Sequence, residues 1–126
     1  MKSVLFIGQE PDTVDFSGPA LPPGLDAGKV KAGIAAGMKQ LTERGWHAEL
    51  CLVRPDQSAR SMVEQQLAQA QYDCVVIGAG LRIPPKSLLL FETLLNAVHA
   101  SAPGASIAFN THPEDTGDAA ARWIGD

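Results

Sequence analysis

With 126 residues, 45% of them hydrophobic and 19% charged, the chain has the size and balance of a single globular domain, which excludes a disordered or two-domain organisation. A formal net charge of −4 and an aromatic share of 6% argue against a nucleic-acid partner, which calls for a basic face or a stacking surface. No apolar segment approaches the roughly 20 residues that span a bilayer, so no membrane partner and a cytoplasmic location are expected.

The first apolar run, Ser3 to Gly8, reads as a buried strand. Lys2 ahead of it imitates the start of a signal peptide, but Gln9-Glu10 ends the run too soon. Between Gly8 and Asp26 lie 17 residues, far beyond the roughly 2 to 6 of an ordinary β-α connection. Pro11, Pro19, Pro22 and Pro23, with the apolar Val14, Phe16, Leu21 and Leu25, predict an ordered loop that packs down on the body of the protein.

Asp26 is placed to cap a helix over Ala27 to Arg44, which Gly45 ends in the left-handed conformation. Val30, Ile34, Met38 and Leu41 form its apolar stripe. Gly33 and Gly37 beside that stripe predict a close approach of the helix to a sheet, the alternative being a helix contact in a dimer. A second strand, Ala48 to Val53, delivers Arg54 to its far end. Asp56 or Ser58 then caps a helix over Ala59 to Ala70.

Cys74 to Gly78 is an unbroken apolar run, the pattern of a parallel strand covered on both faces. Gly78, Gly80 and Arg82 follow, and Pro84-Pro85 starts a helix over Lys86 to Ala102. Leu88, Leu90, Phe91, Leu94, Leu95, Ala97 and Val98 make its apolar face wider than one sheet needs. Either the helix is deeply packed, or a second subunit covers part of it in a symmetric homodimer. The fourth strand, Ser106 to Asn110, leads through Thr111 and His112 to a helix over Asp115 to Ile124, with Thr111 and Glu114 as the capping pair. Cys51 and Cys74 fall within strands and lack a Cys-x-x-Cys spacing, so they read as small buried hydrophobes.

This alternation predicts an α/β fold, a three-layer sandwich around a four-stranded parallel sheet of order 2-1-3-4. In that order the connections from the first and third strands leave in opposite directions, and a crevice opens at the C-terminal edge. Gln9, Glu10 and Asp12, then Arg54, then Gly78, Gly80 and Arg82, then Asn110, Thr111 and His112 all reach this rim. The sharpest expectation is a site for a small anionic molecule. Arg82, Lys86 and the start of the third helix hold its charge, Asn110 and Thr111 orient it, and the loop from Gln9 to Leu25 is the lid. The opposing explanation pairs Arg82 with Glu10, Asp12 or Asp15 to pin the loop. His112 is the candidate acid or base of any reaction. No metal or cofactor is implied, since the histidines are dispersed and the carboxylates follow no ligand spacing. The rival class is a nonenzymatic interaction protein, dimeric through the third helix.

Over nearly its whole length the chain resembles flavodoxin-like domains in strand and helix order. Gly8-Gln9-Glu10-Pro11-Asp12-Thr13 departs from their compact Ser/Thr-rich phosphate loop, so the resemblance does not carry FMN over. The carboxylates after the first strand resemble those of response-regulator receivers, yet Gly78-Ala79-Gly80 stands where receivers place an aspartate. The chain is also similar to small uncharacterised bacterial proteins of this topology, a resemblance that implies a fold and no activity.

Overall fold

Successive side chains of a strand point to opposite faces, and in the first strand both faces are apolar. A computed structural model describes residues 1–18 and 21–125; position 19, one of the loop prolines noted above, lies outside them. Four parallel strands, β1 (Ser3–Gln9), β2 (His47–Val53), β3 (Cys74–Ile77) and β4 (Ser106–Phe109), pair in the order β2-β1-β3-β4. The helices are α1 (Ala27–Glu43), α2 (Ser58–Gln69), α3 (Leu88–Ser101) and α4 (Thr116–Ile124).

Leu5, Ile7, Val75 and Ile77 face one layer, where Val63 and Leu67 of α2 and Leu94, Ala97 and Val98 of α3 complete the core. Val4, Phe6, Cys74 and Val76 face the other, against Ile34 and Leu41 of α1 and Ala119 and Ala120 of α4. The chain is thus a three-layer α/β sandwich in the expected strand order, an arrangement compatible with a flavodoxin-like fold. Among the described residues no helix is long and apolar enough to cross a membrane.

The local signals act much as their chemistry predicts. Asp26 accepts a hydrogen bond from the Lys29 N–H at 2.8 Å and caps α1. Gly45 ends it at φ +81°, a conformation open to glycine and strained for other residues. Asp56 accepts from the Ser58 N–H at 2.9 Å ahead of α2.

Three expectations are corrected. The double proline starts a 3-10 turn, Pro85–Ser87, and the α-helix begins only at Leu88, so Lys86 precedes it. Asp115 rather than Glu114 reaches back at the head of α4, accepting from the Thr111 N–H at 3.0 Å and leaving Glu114 free to lie against Gly33. Lastly, Gly33 and Gly37 do not face the sheet. They face the 3-10 turn Pro113–Asp115 and the start of α4, and a Cβ on Gly37 would stand 2.5 Å from the Pro113 oxygen. Small residues here let two neighbouring helices of one layer close on each other.

Candidate functional site

At the C-terminal edge, between the exits of β1 and β3, lies a cleft of about 540 Å³. Gly8 and Gln9 line it from β1, and Gly78, Ala79, Gly80 and Ile83 from the segment after β3. Val14, Leu21, Pro22 and Leu25 of the long loop form one wall, and Lys29, Val30 and Ile34 of α1 another. The residues from Asn110 to Glu114, after β4, close the remaining side. Residues of the long loop therefore do line the crevice.

The floor is shaped by a buried asparagine. Asn110 is 1% exposed; its Oδ1 accepts from the Ala79 N–H at 2.7 Å, and its Nδ2 donates to Thr116 Oγ1 at 3.0 Å. One side chain thereby joins the β3 exit to the head of α4 and holds Ala79–Leu81 in a 3-10 turn. That turn keeps Gly80 at the surface of the cleft, where a Cβ would meet no atom within 4 Å. Gly78 has no such freedom, since its Cβ would stand 3.2 Å from the Ile7 oxygen.

The predicted site residues divide into two groups. Gln9, Gly78, Gly80, Asn110, Thr111 and His112 gather around the cleft. Glu10, Asp12, Arg54, Arg82 and Lys86 do not line it. Arg54 turns to Asp56 at 3.7 Å, and Asp12 pairs with Lys31 at 3.6 Å. Glu10 joins the β2 end through its backbone N–H to the Val53 oxygen.

Arg82 donates from Nη2 to the Asn110 oxygen at 2.8 Å, with its guanidinium carbon 5.6 Å from the centre of the Phe109 ring. Among the described residues its buried Nε has no acceptor. The loop carboxylate that pins the segment is Asp15, and its partner is Lys86 at 2.5 Å. That ion pair holds the Asp15 carboxyl well below the usual carboxylate range, helped by the Ser17 hydroxyl and N–H.

The charges that remain at the cleft are Lys29, His112 and Glu114. Lys29 Nζ donates to the Gly24 oxygen at 2.7 Å, and His112 Nδ1 lies 3.4 Å from Glu114 Oε1. Thr111 Oγ1 donates to Asp115 Oδ2. Burial opposes ionisation of Asp115, but the hydroxyl and N–H of Thr111 and the N–H of His112 outweigh it and lower its pKa. The wall contributed by loop and helix is otherwise apolar.

Lys29, Val30, Ile34, Ile83 and Glu114 were not anticipated at the site. The signal for the first three was the loop itself, whose apolar residues must pack on whatever helix follows it. Among the described residues no group of three or more His, Cys, Asp or Glu side chains is arranged to hold a metal ion. The chain matches no protein family, no curated protein and no solved structure.

Proposed function

We propose that this protein binds a small molecule with an apolar body and one polar or anionic end in the cleft at the C-terminal edge of its sheet. The observation that carries the reading is the position of the cleft, at the point between β1 and β3 where the connections diverge, under an apolar loop. The apolar body lies against Val14, Leu21, Leu25 and Ile34. Its polar end faces Gln9, Thr111, His112 and Lys29, so Lys29 and His112 take the part that Arg82 and Lys86 play in the sequence reading. The flavodoxin-like resemblance belongs to this proposal as a statement of fold kinship, without FMN.

The test uses Gly80, where a side chain meets open space and therefore obstructs ligand before it disturbs the fold. A thermal-shift screen of aliphatic and aromatic carboxylic acids, phosphate esters and their neutral analogues is expected to give a stabilising hit. At about 100 times its dissociation constant such a ligand adds about 2.7 kcal/mol. Gly80→Val is expected to keep the melting temperature of the unliganded protein and lose the shift. A hit that Gly80→Val leaves intact overturns the placement, and a screen without hits overturns the reading.

A second reading, a nonenzymatic homodimer, has its own observation. Leu88 and Leu89 at the start of α3 are 60% and 76% exposed. The rest of the wide apolar face, including Leu90, Phe91 and Leu95, packs against the core. Sedimentation velocity at micromolar concentration, with Leu89→Glu as the disrupting variant, decides between a dimer and a monomer.

A further inference from the structure

The long loop is tied to the body in an unusual way. Beyond Glu10, whose N–H goes to the Val53 oxygen, its backbone hydrogen bonds, as far as the described residues show, close on the loop itself. Thr13 bonds to Glu10, Val14 to Pro11, Leu21 to Gly18 and Leu25 to Pro22. Past Glu10, the polar ties that leave the loop among the described residues are made by lysine side chains. Lys31 reaches Asp12 and Lys29 reaches the Gly24 oxygen, both from α1, while Lys86 reaches Asp15 from the turn ahead of α3. Two of these partners belong to the helix that directly follows the loop. Lys86 alone of the three comes from across the β3 exit, so its bond ties Asp15, next to Val14 of the cleft wall, to the segment that follows Ile83 of the opposite wall.

We propose that the Lys86–Asp15 ion pair is the latch of this lid, and that a ligand is admitted when the pair breaks and the segment bearing Val14 swings away. This rests on the cleft being a binding site. The pair is suited to the task because both side chains are substantially exposed, 64% and 46%, so water and salt compete for it. Behind it the loop is held by apolar contact without a backbone ladder, which is the condition for local opening while the sheet stays closed.

Amide hydrogen exchange on the unliganded protein tests the latch without any ligand. In Lys86→Ala, exchange at 14–18 and 21–25 is expected to rise about threefold, the scale of one exposed ion pair, with the strands unchanged. Lys86→Arg is expected to restore wild-type exchange. High salt is expected to accelerate the wild type more than Lys86→Ala, which keeps only the Lys31–Asp12 pair for salt to weaken. Unchanged exchange in Lys86→Ala overturns the latch. The probe for admission is 8-anilinonaphthalene-1-sulfonate in stopped flow, whose association is expected to quicken by the same factor in Lys86→Ala. Faster exchange with unchanged dye association overturns the role in admission. Faster exchange with no dye bound by any variant removes the cleft as a site and leaves only a structural tie, which likewise overturns it.

Discussion

Arg82 spends its guanidinium on the backbone oxygen of Asn110, 2.8 Å away, across the ends of β3 and β4. The same guanidinium lies against the Phe109 ring, so a cation that the sequence offers to a ligand instead closes the sheet at its C-terminal edge. Arg82→Ala is expected to destabilise the fold by about 1 to 2 kcal/mol, from one charge-assisted hydrogen bond and one ring contact. Arg82→Lys recovers only part, lacking the planar group that serves both. Urea unfolding measures the loss. Ligand affinity at the cleft is expected to change less than in Gly80→Val, and the reverse order makes Arg82 a ligand contact.

Asn110 is the more critical of the pair. Replacing it by alanine strands the Ala79 N–H in a site 1% exposed, at an expected cost of about 2 to 3 kcal/mol. Aspartate keeps that acceptor but turns its second oxygen toward Thr116 Oγ1, whose own proton is committed to the Pro113 oxygen. Burial then raises the introduced carboxyl's pKa above its unfolded value. The variant's loss relative to wild type is accordingly expected to be smallest at low pH and to grow as pH rises through the folded pKa. Chemical denaturation of Asn110→Asp and wild type at about pH 4 and about pH 7 checks the sign.

Gly37 faces backbone rather than a movable side chain. A Cβ there would stand 2.5 Å from the Pro113 oxygen, whereas one on Gly104 meets nothing within 4 Å. Gly37→Ala is expected to cost about 1 to 3 kcal/mol of overpacking despite roughly 1 kcal/mol of gained helix propensity. Gly104→Ala is the control, with a melting temperature close to wild type. Thermal unfolding of the two variants reads the difference directly.

These residues also show where the sequence is legible. The strand Cys74–Ile77 is plain because both its faces are buried, and α1 is plain because Asp26 and Gly45 act within a turn of their own positions. The turns are not plain. Ala79–Leu81 depends on Asn110, 31 residues away, and no local pattern carries that partner. The rim charges stand away from the cleft because each finds a partner within the protein, distant in sequence for Arg82, Lys86 and Asp12 and two residues on for Arg54. The residues most legible as lining the cleft are those on short segments next to the sheet: Gln9, Gly78, Asn110 and Thr111.

Acid is expected to weaken the fold through Glu49 and the lowered aspartates. His47 lies 3.0 Å from Glu49 Oε1, while Tyr72 and Gln66 donate to Oε2. The His47 contact is the largest influence, and together these groups lower the Glu49 pKa from its ordinary value near 4.5. A carboxyl with a depressed folded pKa stabilises fully above its unfolded value and loses that contribution as pH falls through the folded one. Stability is therefore expected to decline below about pH 4.5, and Glu49→Gln to lower the neutral plateau and flatten that limb together. Denaturant midpoints from about pH 6 down to about pH 3 make the comparison, and an unflattened limb assigns the acid sensitivity to the aspartates.

Cys51 and Cys74 are both free and buried, Cys74 completely. Burial raises both thiol pKa values, that of Cys74 up to about 12 against a small opposing pull from Arg122. A thiol reacts as its thiolate, so at about pH 8 neither group in the native protein has the ionised fraction or the access that disulfide exchange requires. Ellman's reagent is expected to label neither cysteine over minutes in native buffer and both at once in denaturant. Because Cys74 sits in the central strand β3, its slow native labelling should follow opening of the sheet and accelerate in Asn110→Ala and Gly37→Ala in proportion to their lost stability. Rapid native labelling at Cys74, with the sheet still protected in hydrogen exchange, contradicts its assignment to the closed core and restores it as a nucleophile.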